Sequence, residues 1–191
     1  GRRSRDGERD GTEDAGEALG APGPDYGHYV RWLADQDAEA TKVFWQAELG
    51  HVDGATLLAS PSVNTAETDQ REGFELIYTR LDREETGRLR SFAQQQRVTV
   101  NTFVQAAWAL LLQRHTRKET VVFGATIAGR PPSLHRADEI IGLFINTIPI
   151  PVKRQSGLKV AEYLESMQET NARLREYEHA SLADVQRWAG S

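Results

Sequence analysis

Cysteine is missing from all 191 residues. Its absence removes disulfide bonds, a cysteine-ligated zinc centre and a thiolate nucleophile. It also fits a reducing compartment, so a cytoplasmic location is expected. No apolar run reaches the roughly 18 residues that suggest a bilayer span. The N-terminus lacks the apolar h-region of a secretory leader, so no membrane association is expected. A net charge of -5 gives no basic footprint for nucleic acid. The phosphate-cradling glycine loop and the Gly-x-Ser-x-Gly nucleophile elbow are both absent. His28, His51, His115, His135 and His179 are scattered without metal-ligand spacing, so no metal site is expected. His51-Val52-Asp53-Gly54 has the residue types of a general-base pair. It follows Gly50 at a predicted helix end, however, and reads as an exposed loop. Glu84-Glu85 and Asp138-Glu139 read as solvated surface. Taken alone, the residues offer no catalytic set.

What is present divides unevenly. Residues 1–24 mix glycine, arginine and acidic residues with Leu19 as the one large apolar side chain among the first twenty. Such a segment buries too little to offset its ordering entropy, which predicts a flexible linker or disordered tail ending at Pro22-Gly23-Pro24. Folded structure is expected over residues 25–191. Aromatics three apart at Tyr26, Tyr29 and Trp32 predict a helix, and Thr41, Trp45 and Leu49 mark the inner face of a second over 38–49. Alternation of Phe74, Leu76 and Tyr78 predicts a strand over 73–81. Asp82 is placed to cap a helix reaching about Gln96. The next helix starts near Thr99, with a buried stripe expected at Phe103, Val104, Ala107, Trp108, Leu111 and Leu112. Strands over 120–127 and 143–149 follow, then an amphipathic helix over 158–177. That helix carries Val160, Tyr163, Leu164, Met167, Asn171 and Leu174 on one face. Ser181 caps a short last helix. This order predicts an α/β fold with a mixed sheet covered by helices.

The most informative stretch runs from Thr120 to Pro151. Two β-branched apolar runs flank Gly129-Arg130-Pro131-Pro132. The second run contains Gly142 and ends in Asn146-Thr147. Gly142 permits close backbone approach or a bulge. An Asn-Thr pair at the end of an apolar run either fixes a neighbouring loop or lines a cavity. Arg130 offers a positive fork for a carboxylate or phosphate.

Gly142-Leu143-Phe144-Ile145-Asn146-Thr147 resembles the Gly-x-Phe-Val-Asn-Thr motif of the condensation domains of nonribosomal peptide synthetases. Tyr26–Trp32 resembles that family's Tyr-x-Asp-Tyr-Ala-x-Trp motif, with His28 in place of Asp and Val30 in place of Ala. Ala128-Gly129-Arg130-Pro131 and the ending from Glu178 to Trp188 are similar to further segments of the family. The resemblance covers residues 26–191 and the C-terminal lobe of the domain. It implies a chloramphenicol acetyltransferase-like fold of two lobes with a tunnel between them. Into that tunnel carrier (thiolation) proteins insert phosphopantetheine arms, and an acceptor amine attacks a donor thioester to form an amide. The family's His-His-x-x-x-Asp-Gly motif is missing here, so no catalytic residue is assigned and no activity is expected of the chain alone. A piece of a larger polypeptide is expected. Gly129, Arg130, Gly142, Phe144, Asn146 and Thr147 are the implied tunnel or lobe-junction residues, with Tyr26, Tyr29 and Trp32 as motif packing. The implied partners are an N-terminal lobe, carrier proteins and a neighbouring adenylation domain, with self-association through the exposed lobe interface. No cofactor is expected to bind directly apart from the carriers' phosphopantetheine arms. The alternative is a non-catalytic lobe that docks a carrier protein or synthetase partner.

Overall fold

Local chemistry sets most of the element boundaries in the computed structural model, which describes residues 23–58, 76–131 and 133–190. Asp25, Asp37, Asp82, Thr99 and Ser181 each turn a side-chain oxygen onto a backbone N–H three residues ahead. Those caps open α1 (Tyr26–Ala34), α2 (Ala38–Leu49), α3 (Arg83–Gln95), α4 (Val100–Thr116) and α6 (Leu182–Ala189). At α3 the Glu85 carboxylate returns the bond to the Asp82 N–H, a capping box. In α5 (Val160–Arg175) Glu162 accepts from the Lys159 N–H in the same way. Between α4 and α5 lie β1 (Thr120–Ala128), a 3-10 turn at Ala137–Glu139, and β2 (Ile145–Lys153).

The two strands pair antiparallel, with Val121 opposite Val152 and Ile127 opposite Asn146. Helices α4 and α5 pack on the pair, α6 packs on β2, and α2 packs on α6. Trp45, Ala109, Val121, Ile148, Ile150, Leu164, Leu174 and Val185 form the centre of one apolar core. A smaller core gathers Leu134, Ala137, Ile140 and Phe144 against Tyr29 and Trp32.

Three expectations change. Residues 76–81 of the expected 73–81 strand are described; they form no strand, and Leu76, Ile77, Tyr78 and Leu81 are exposed. Phe74 lies outside the described residues. Alternation supplies a face, but a strand also needs a ladder partner, and among the described residues β1 and β2 pair only with each other. The sheet described is therefore an antiparallel pair where a mixed sheet is expected, within the expected α/β class.

Helix α4 turns a different face inward. Thr102, Ala106, Ala109, Leu112 and Gln113 are buried, whereas Val104 is 56%, Trp108 38% and Leu111 55% exposed. The helix is apolar nearly all round, so hydrophobicity alone does not select a side. Small Ala106 and Ala109 admit close neighbours, and Gln113 Nε2 donates to Val152 O. Last, β2 runs four residues beyond its expected end through Pro149 and Pro151. These residues oppose Gly124 and Val122 at positions where β2 donates nothing to β1, so neither proline interrupts the ladder.

Candidate functional site

Sequence motifs more than a hundred residues apart close on one another at the smaller core. The Tyr26 hydroxyl donates to Leu143 O at 2.8 Å. Its ring occupies the space that a Cβ on Gly142 would need. That glycine is therefore required by the approach of Tyr26. The Tyr29 ring lies 4.6 Å from Phe144 and stacks on Trp32 at 6.0 Å. Arg130 places its guanidinium 4.3 Å from the centre of the Phe144 ring. Its Nη1 donates to Ile140 O at 2.8 Å and to Ala137 O. These contacts fasten the connection between the strands to its own far end.

A second junction joins β2 to the segment before α6. Asn146 Nδ2 donates to Glu178 O and Ala180 O, both at 2.8 Å, while its Oδ1 accepts from the Thr147 N–H at 2.8 Å. One side chain thus holds two carbonyls and one amide of separate segments. The Glu178 carboxyl lies against Gly129, where an added Cβ would have to displace it. Burial pushes that carboxyl above its ordinary value, partly offset by nearby Arg175. Burial, followed by Tyr26 and Glu178, raises the Tyr29 hydroxyl. His179 contacts Thr41 Oγ1 at 3.1 Å and meets Trp32 edge-on, and burial holds its ring below the usual imidazole value.

The structure accordingly joins Tyr26, Tyr29, Trp32, Arg130, Gly142 and Phe144 in one cluster. Gly129 and Asn146 meet at Glu178. Thr147 turns its methyl toward Gly124 on the opposite strand. A cavity of about 560 Å3 opens beside this assembly, between the C-terminal half of β1, the start of α4 and the end of α5. Arg130, Arg175, Glu176 and Glu178 line it, together with the amides of Asn101, Gln105 and Asn171. No group of three or more metal-ligating side chains occurs among the described residues.

Sequence reasoning missed the roles of Glu178, Gln105 and the network around Thr102. The available signal was polar residues three apart on the inward faces of two helices: Thr102 and Gln105 on α4, Gln168 and Asn171 on α5. Asn171 alone stood out, as the single polar residue on an apolar stripe.

The chain matches the Condensation domain family over residues 13–189. It is 40% identical over 164 residues to a linear gramicidin synthase polypeptide of Brevibacillus parabrevis, covering 86% of this chain and 2% of that protein. Identity to a mycosubtilin synthase polypeptide of Bacillus subtilis is 36% over 163 residues, 84% of this chain and 6% of that one. Among solved structures, it superposes on a four-domain nonribosomal peptide synthetase bound to AMP and glycine with a TM-score of 0.68 and 20% identity. That match covers 82% of this chain and 12% of the other. The first condensation domain of the calcium-dependent antibiotic synthetase, in complex with a substrate analogue, gives 0.64 and 19%, covering 86% and 37%. The chain thus spans a few per cent of these curated relatives and little more than a third of that solved domain. The structural likenesses speak to the fold.

Proposed function

Since the chain belongs to the condensation-domain family of nonribosomal peptide synthesis, we propose that it forms the C-terminal lobe of an amide-forming domain. In this reading an N-terminal lobe supplies the His-His-x-x-x-Asp-Gly residues. Carrier proteins present donor and acceptor thioesters on phosphopantetheine arms. This lobe contributes a wall of the tunnel between them. The observation that carries the reading is the closure of Gly142–Thr147 onto Tyr26 at one end and onto Glu178–Ala180 at the other. Motif residues engaged in this way shape a rigid margin beside a cavity, and rigid margins place reactants. The chemistry is attack of a neutral acceptor amine on the donor thioester carbonyl. The C–N bond forms, the C–S bond breaks, and the thiol leaves with the proton released by the amine.

The test uses the intact polypeptide that carries this chain, with both carrier proteins loaded and the product followed by mass spectrometry. A new amide on the acceptor carrier supports the reading, and the isolated 191-residue chain should form none. Loaded carriers that yield no amide with the intact polypeptide overturn it. Saturable binding of a carrier protein, without any turnover, would favour the docking reading instead.

A further inference from the structure

Only alternate residues of β1 bond to β2. Pro149 and Pro151, opposite Gly124 and Val122, donate nothing to β1, so the alternation of an antiparallel ladder assigns the bonds to the odd-numbered residues of β1. The even-numbered residues turn both N–H and C=O away from β2. The Val122 N–H follows this rule, donating at 2.8 Å to Thr56 Oγ1 on the outer side. Beyond it Gly124, Thr126 and Ala128 are exposed, and among the described residues nothing accepts from their amides. Empty space lies along the same edge. Thr126 and Ala128 line the cavity of about 560 Å3, and Val122 and Gly124 line a second one of about 410 Å3.

The chain also holds a strand-like segment without a ladder. Leu76, Ile77 and Tyr78 are consecutive apolar residues at 73%, 86% and 81% exposure, and Leu81 follows at 57%. Such a run suits a strand buried on both faces. A neighbour of β1 would be one. Helices α4 and α5 stand over Ala125 and Ile148 on one face of the strand pair, and α6 stands over Gly124 and Pro149 on the other. The root of the segment is fixed: Asp82 caps α3, Phe92 of α3 meets Phe103 of α4 edge-on, and α4 packs on β1. Six extended residues reach about 20 Å, more than the roughly 14 Å from Gly124 to Ala128.

We propose that residues 76–81 form a strap that swings about Asp82 and adds to the outer edge of β1 as a third strand. Closed, its backbone pairs with Gly124, Thr126 and Ala128, and its apolar side chains face the helices on either side. It then lies across the edge along which the two cavities open. Open, it follows the exposed course described above. The device needs no ligand and is independent of the functional reading.

The test is amide hydrogen exchange of the full chain, read by 1H–15N spectroscopy. The β1 amides that face β2, those of Val121, Phe123, Ala125 and Ile127, report the integrity of the fold. Gly124, Thr126 and Ala128 should exchange at least about tenfold more slowly than unpaired amides. Ile77→Pro and Tyr78→Pro identify the strap, because neighbouring nitrogens in a strand face opposite edges and one of the two must belong to the ladder. At least one variant should return the three amides to the unpaired rate with the β2-facing amides unchanged, and which one does so gives the register. Both substitutions fall at exposed positions, so neither removes a buried contact. Unprotected exchange in the parent, or protection that survives both substitutions, overturns the strap. Surviving protection that rises with protein concentration would place a second copy on the edge instead.

Discussion

Replacing Asn146 by alanine tests whether one side chain holds β2 to the segment before α6. The substitution removes two donors to Glu178 O and Ala180 O and the acceptor of the Thr147 N–H. Each such bond contributes about 0.5–1.5 kcal/mol net. The side chain is half-buried, so water recovers part of the loss, and about 2–3 kcal/mol is expected. For a chain of this length that corresponds to a fall in Tm of roughly 5–10 °C. Asn146→Asp is the sharper variant. It keeps Oδ1 for the Thr147 N–H but turns an anionic oxygen onto two carbonyls. At neutral pH it should be at least as destabilising as alanine. It should recover below about pH 4, where the carboxyl is protonated and can donate to one carbonyl again. Thermal melts by circular dichroism across pH, with urea titrations for the free energy, give both values. An alanine variant within about 2 °C of the parent, or an aspartate variant more stable than alanine at pH 7, refutes the clamp.

Other perturbations test different parts of the structure. Gly142→Ala should cost about 1–3 kcal/mol by displacing the Tyr26 ring. In a Tyr26→Ala background the same change should cost under about 0.5 kcal/mol; equal costs in both backgrounds would show that the ring is not the obstacle. Trp45 is fully buried and its Nε1 donates to Tyr177 O at 3.3 Å, so Trp45→Ala should cost about 3–5 kcal/mol in urea unfolding. Trp108→Ala should cost less than half as much in the same assay, and a reversed order would place the core on the other side of α4. Because burial lowers the folded-state pKa of His179, the native protein binds fewer protons than the unfolded chain. The stability this contributes is complete above the unfolded value near 6.5 and declines as pH falls through and below it. Melts from pH 7.5 to 5.5 should show that decline, and His179→Gln should flatten it; an unchanged slope in the variant assigns the effect elsewhere.

Where a local signal sets an element, the sequence shows it. The Asp82 cap, the Thr99 start, Ser181 and the whole of α2 stand where propensity and capping place them. Choices made by tertiary context were not legible. The inward side of α4 is one, since nearly every position from Phe103 to Leu112 is apolar. The extension of β2 through two prolines is another, because it depends on which way each proline nitrogen faces. At the site, the motif residues could be named from their resemblance, but not what they do. Arg130 reads as a ligand fork until its Nη1 is seen on two carbonyls of its own loop. Gly142 reads as a point of close approach or a bulge, and the Tyr26 ring against it shows which. The network ending at Gln105 and Asn171 depends on the alignment of two helices, which no spacing within either one reveals.

The outer margin of β2 carries a directional restriction. Along its middle, the backbone nitrogens that face away from β1 belong to Thr147, Pro149 and Pro151, between those of Ile145 and Lys153 at its ends. The first already donates to Asn146 Oδ1, and the prolines have no proton to give. Three consecutive outward positions are thus blank as donors, and a ladder cannot be extended across them. Among the described residues the middle of this margin is thus closed to a further strand, whether from another segment or from another molecule.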